Sequence, residues 1–236
     1  MRVPLPSTSP RRRSGYPLLN PVMGDTEGDE RANELLKLHL EIDNCRICET
    51  GLVTDLQKPL GLDRGEPGRV MIVGQSPGSA ELARRRAFAG PAGKRLTDWL
   101  IASGADPSSP RAGIYLTSLL KCVCPTPSKL PPMLANCRRF LVQQLRLIRP
   151  ELVISLGADA YAELSFSGKD YSMALCRAEN SRDYFLAEAP PHGFHFTLLP
   201  WPHPSGRNRY LNEAEVKTRL AESFAVVRAV LRQDNA

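Results

Sequence analysis

At 236 residues, 42% of them hydrophobic, the chain can bury one substantial core and is short for two. Its six cysteines come without a signal-like apolar N-terminus or a long apolar run. That argues against secretion, a disulfide framework and a membrane anchor, and for a soluble protein in a reducing compartment. The net charge of +6 and the pI near 9.1 favour a polyanionic partner such as nucleic acid.

Residues 1–28 are rich in Pro, Ser, Gly and Arg and show no apolar periodicity, so they read as a disordered basic tail. The run Arg11-Arg12-Arg13 fits a solvated segment able to graze phosphates. Residues 29–236 read as a single domain. Ala32, Leu35, Leu36, His39 and Ile42 keep near-helical spacing and lead into Cys45. Cys45 and Cys48 form a Cys-x-x-Cys pair, which puts two sulfurs on one tight turn; Cys122 and Cys137 follow far downstream. A centre held by these four would clip the N-terminal region onto the body of the fold, and the spacing suits either an iron–sulfur cluster or a structural zinc.

Four short apolar runs then read as buried strands: Val70–Val73, Ile114–Leu116, Leu152–Leu156 and Phe196–Leu199. Their apolarity is continuous rather than alternating, as in parallel strands covered on both faces. Helical stretches separate them. One holds Leu96, Trp99 and Leu100. Another, Met133–Arg149, carries Leu134, Cys137, Leu141, Leu145 and Ile148 on one stripe, so Cys137 points inward. Asn212 with Glu215 resembles a capping box opening a last helix through Val216, Leu220, Val227 and Leu231. Residues 165–195 carry no readable pattern. The alternation predicts an α/β fold, a three-layer α/β/α sandwich with a small, mainly parallel four-stranded central sheet. The site then belongs on loops at the strand C-termini.

Three loops hold chemistry. The first, Gly74-Gln75-Ser76-Pro77-Gly78-Ser79, lets backbone amides converge on a ligand, or is simply a turn. Glu81 follows, where a carboxylate can orient water or steady positive charge. The second, Phe88-Ala89-Gly90-Pro91-Ala92-Gly93, sets an aromatic beside small residues, as a stacking surface for a base or as core packing. In the third, His203 stands between Pro202 and Pro204, with Ser205, Gly206, Arg207 and Arg209 beyond. Restricted backbone suits an aimed imidazole; hydroxyl, amide and guanidinium groups suit phosphate.

In this order the motifs resemble the uracil-DNA glycosylase superfamily, and most closely its iron–sulfur, family 4-like branch. The resemblance runs from about Cys45 to Asn212. It rests on Cys45-x-x-Cys48, Gly74-x-x-Pro77-Gly78 with Glu81, Phe88-x-Gly90-x-x-Gly93, Leu116-Thr117-Ser118-x-x-Lys121-Cys122, Cys137-x-x-Phe140-Leu141, Leu156-Gly157-Ala158 and His203-Pro204-Ser205. It implies a [4Fe-4S] cluster on Cys45, Cys48, Cys122 and Cys137, with Cys124 as rival third ligand and Cys176 as a free thiol. It implies DNA repair: uracil is flipped from the duplex and its N-glycosidic bond hydrolysed, leaving an abasic site.

Phe88 would stack on the uracil and residues 74–78, with Ser118, would hold it. His203 would donate to the uracil oxygen as charge develops there. Glu81 would place water or steady the sugar cation. Ser79, Ser205 and Arg209 would meet phosphates, and Arg207 would either fill the vacated gap or do the same. The implied protein is monomeric, cytoplasmic and nucleoid-associated in the bacterial manner, and acts on uracil-containing DNA with no membrane. Two departures stand out. Ser118 replaces the Asn usual in the family, and Gln75-Ser76 replaces the acidic residue common after the first glycine. A module that binds uracil or abasic DNA with little turnover is the alternative reading.

Overall fold

A computed structural model describes residues 26–165, 169–180 and 195–232. The expected tail lies outside the described residues except for its end, which is helical: α1 spans Thr26–Asn44. Downstream come β1 (Val70–Gly74), α2 (Ser79–Arg84), α3 (Pro91–Ala102), β2 (Ile114–Ser118) and α4 (Leu130–Ile148). The chain continues through β3 (Leu152–Leu156), α5 (Ala158–Leu164), α6 (Tyr171–Ala174), β4 (Glu179–Asn180), β5 (Thr197–Trp201) and α7 (Ala214–Arg232).

The sheet order is β2-β1-β3-β5-β4. The four predicted strands are parallel, with Val73 opposite both Thr117 and Ser155, and Leu156 opposite Trp201. The fifth strand was not foreseen. Glu179–Asn180 runs antiparallel to β5 at the sheet edge, and two residues are too few to leave a periodic trace.

The continuous apolar runs are explained by cover on both faces. Val70, Ile72, Ile114, Leu116, Leu152 and Ile154 pack with Leu96 and Leu100 of α3 and with Val216, Leu220 and Val227 of α7. Met71, Val73, Tyr115 and Val153 pack on the other face with α1, α4 and α5. Each fully buried Leu, Ile or Val contributes about 1.5–3 kcal/mol. The predicted capping box does not form. The Lys217 N–H donates to the Glu213 carbonyl, so the last helix opens one residue later than expected, and Glu215 pairs with Arg219 instead.

The chain leaves β1 for β2 on one side and returns to β3 on the other, while α3 and α5 lie on opposite faces. The crevice between the C-terminal ends of β1 and β3 is therefore the topological switch point, where open α/β sheets bind ligands.

Candidate functional site

The four parallel strands end at one rim, at Gly74, Ser118, Leu156 and Trp201. The loop after β1 is tied to the loop after β2, because Leu119 N–H donates to the Gly74 carbonyl at 2.8 Å and Leu120 N–H to the Gln75 carbonyl at 2.9 Å. Ser76 is half-buried and Pro77 buried along that loop. The Phe88 ring lies directly on Gly74: a Cβ there would stand 3.0 Å from Phe88 Cζ and would push the ring outward.

Phe88 itself has φ +50°, a left-handed conformation that a bulky residue adopts only under constraint. The constraint is visible. The Arg111 guanidinium donates to the carbonyls of Ala87 at 2.7 Å and Phe88 at 3.0 Å. From the other side Glu81 accepts two backbone N–H bonds, from Gly78 at 2.9 Å and Ala89 at 2.7 Å. Glu81 thus clips the first loop to the second, with one carboxylate oxygen on each.

His203 packs against Gly157, where a Cβ would stand 3.2 Å from His203 Cβ and where φ of +89° would strain any L side chain. Gly157 follows β3, the strand next to β1, so Phe88 and His203 stand on neighbouring strand ends. Ser205 N–H donates to His203 Nδ1 at 3.2 Å, and Asn208 Nδ2 donates to the His203 carbonyl at 3.0 Å. Arg95 from α3 holds the Pro204 carbonyl at 3.0 Å. Burial pushes the imidazole pKa below its ordinary 6.5, so His203 is neutral at pH 7. With Nδ1 accepting, the proton sits on Nε2.

The remaining predicted residues spread outward. Ser118 Oγ donates to the Leu120 carbonyl at 2.6 Å, which leaves it only acceptor capacity for a ligand. Gln75 Nε2 donates to Asp159 at 2.6 Å. Ser79 is exposed at the start of α2, Ser205 is half-buried, and Arg207 and Arg209 are exposed beyond His203. Sequence reasoning missed Arg95, Arg111, Asp159 and Asn208. Each acts on a residue 5 to 109 positions away, and none sits in a motif that announces it.

Cys45, Cys48, Cys122 and Cys137 line one cavity with Lys58, Lys121 and Asn136. Cys48, Cys122 and Cys137 also belong to a small apolar cluster with Val53, Leu120 and Met133. Cys124 does not line the cavity and donates instead to the Thr126 carbonyl at 3.1 Å. Of the two rivals, Cys122 faces the cavity and Cys124 turns away from it. Burial pushes the Cys122 thiol up to about 12 and raises Cys137 too. Among the described residues, no three Cys, His, Asp or Glu side chains close on a single ion.

Lys121 joins the two regions. Its ammonium donates to Thr117 Oγ1 at 2.9 Å, Gln144 Oε1 at 2.8 Å and the Ser118 carbonyl at 2.5 Å, and burial lowers its pKa to about 7. Gln144 continues to the Tyr115 hydroxyl at 2.8 Å, and that hydroxyl meets His39 Nε2 at 2.7 Å.

The family model described as the uracil DNA glycosylase superfamily matches residues 64–225. The chain belongs to that superfamily. The chain is 37% identical to the type-4 uracil-DNA glycosylase of Thermotoga maritima over 142 residues, 58% of this chain and 65% of that protein. To the type-4 enzyme of Archaeoglobus fulgidus it is 34% identical over 119 residues, 50% of this chain and 56% of the relative. A longer match, to the type-4 enzyme of Saccharolobus solfataricus, is 27% identical over 197 residues, 82% and 86% of the two chains. The chain thus spans between about half and two thirds of the length of these first two relatives. Among the described residues no helix is long and apolar enough to cross a membrane.

Proposed function

We propose that this protein is a monofunctional DNA-repair glycosylase that hydrolyses uracil from DNA and leaves an abasic site. One observation carries the reading: an aromatic ring and a neutral histidine with its proton on Nε2 rest on glycines of adjacent strand ends, at the switch point of the sheet. The similarity to enzymes named type-4 uracil-DNA glycosylase supports it. An extruded base stacks on Phe88 against the Gly74 backbone and meets the amides of residues 74–78. As the glycosidic bond lengthens, negative charge grows on the uracil ring. His203 Nε2–H donates to that oxygen, and an imidazole that is already neutral gives up no solvated charge on doing so. Ser118, committed to Leu120, accepts one hydrogen bond from the base. Glu81 acts by positioning: it holds the Gly78 and Ala89 amides, and through them the Phe88 ring. Ser79, Ser205, Arg207 and Arg209 meet phosphates.

Cys45, Cys48, Cys122 and Cys137 would hold a [4Fe-4S] cluster. The donor set fits: four cysteines from three segments line one cavity, and four thiolates are the donor set of such a cluster. When bound, the cluster supplies a four-thiolate cross-link between the segment after α1, the loop after β2 and α4. Lys58, Lys121 and the Asn136 amide, which reaches Cys48 Sγ at 3.5 Å, offset thiolate charge.

The protein acts as a monomer in the cytoplasm, associated with the nucleoid, and its glycosylase domain is assigned to residues 29–236. Incubation with a uracil-bearing oligonucleotide followed by alkali tests the function. Strand breaks at uracil are the expected result, and intact strands from both single- and double-stranded substrate refute it. The single polar contact available to Ser118 favours a second reading, a module that binds uracil or abasic DNA with little turnover. Tight product binding without multiple turnovers would select it.

A further inference from the structure

We propose that Asp159 is the catalytic carboxylate of this site, held by Gln75 so that it faces the sugar of the extruded nucleotide; this rests on the glycosylase reading above. Breaking an N-glycosidic bond leaves positive charge on the sugar and calls for a placed water, and a carboxylate serves both needs. Position 76, inside the first loop, is a serine. Glu81 has both oxygens occupied by the Gly78 and Ala89 amides, and releasing either would free the Phe88 loop. Asp159 is differently placed. It lies in the first turn of α5, two residues past the glycine that carries His203, and its Oδ2 accepts from Gln75, the residue after the glycine that carries Phe88.

Asp159 therefore stands at the crevice between β1 and β3, tied to the loop after β1 through Gln75. The chemistry of the pair matters as much as its place. Glu151 is matched with Arg69 and Glu163 with Arg138, both cations, whereas the Asp159 contact is a neutral amide. A neutral partner orients a carboxylate without cancelling its charge.

In the proposed step the C1′–N1 bond breaks and its electron pair leaves with uracil, as an anion bonded to His203. The sugar cation forms beside Asp159. A water bound to the free carboxylate oxygen adds through its lone pair to C1′ and passes a proton to Asp159, which returns it to solvent. Solvent protonates the uracil. The sum is hydrolysis of one bond by one water.

Single-turnover excision from a uracil-containing oligonucleotide tests the assignment, using the full chain with its metal content verified. Asp159→Asn keeps an oxygen for the Gln75 amide and loses the charge. It should slow excision by about 10²-fold or more, the usual scale for a lost acid–base group. Its melting temperature and affinity for abasic product DNA should match wild type. Adding Gln75→Glu to Asp159→Asn exchanges amide and acid across the same hydrogen bond and should recover about tenfold or more of the loss. Excision by Asp159→Asn within about threefold of wild type, or a loss the exchange does not recover, overturns the role. A wild-type protein that excises no uracil fails earlier and overturns the glycosylase reading along with it.

Discussion

The rim and the cysteine cavity are built on opposite principles. At the rim every important group is already held by protein. Arg111 and Glu81 fix the Phe88 loop, and Arg95, Asn208 and the Ser205 amide fix the His203 loop. The cavity instead gathers four cysteines from segments that share no strand, and burial raises the Cys122 and Cys137 thiols. A preformed site tolerates loss of one side chain while the fold persists. A site built around the proposed cluster would not, because folding and binding there would be one equilibrium.

The largest effect that could break this contrast is expected at the cavity. Cys45→Ala or Cys137→Ala should lower the melting temperature by about 10 °C or more, given roughly 2–4 °C per kcal/mol for a chain of this size. Cys124→Ala should leave melting and iron content unchanged; equal losses from Cys124 and Cys122 would end the distinction between them. At the rim, His203→Ala should cost about 10²–10³ in single-turnover excision, the scale of a lost oxyanion donor, with melting nearly unmoved. Full activity in that variant would remove the leaving-group role.

Glu81→Gln presents an N–H to one of two amides that need an acceptor, so a loss of about 1–3 kcal/mol is expected. It should appear mainly as weaker substrate binding, unlike the rate defect expected of Asp159→Asn. The pH dependence is smaller and links the regions. Burial, reinforced by Arg64 and Lys121, lowers the His39 pKa from 6.5 to about 3, and His203 is lowered as well. Below pH 6.5 the unfolded chain takes up protons that the folded one refuses, so stability falls as pH drops from about 6.5 towards 3, by up to about 1.4 kcal/mol per unit for each such histidine. Above 6.5 neither histidine contributes. Denaturant midpoints across pH 4–8 would show this slope, and His39→Gln should flatten it. The smallest effect is expected at Arg207→Ala, with the salt slope of DNA binding reduced by about one phosphate contact.

What the sequence by itself determined follows from short-range physics. Four buried strands were legible because a strand covered on both faces must be apolar at every position, and the inward turn of Cys137 was legible from its helical stripe. The α/β/α layering followed from the alternation. Direction was left to tertiary structure. Cys122 and Cys124 are two residues apart and only packing turns one inward, and a two-residue edge strand at Glu179–Asn180 is too short to leave a pattern. The Gly78 and Ala89 amides that Glu81 holds, and the approach of Asp159 to Gln75 across 84 residues, have no local signature. Hydrogen-bond partners that distant are chosen by strand order and register, and neither is written in the local periodicity from which elements are read.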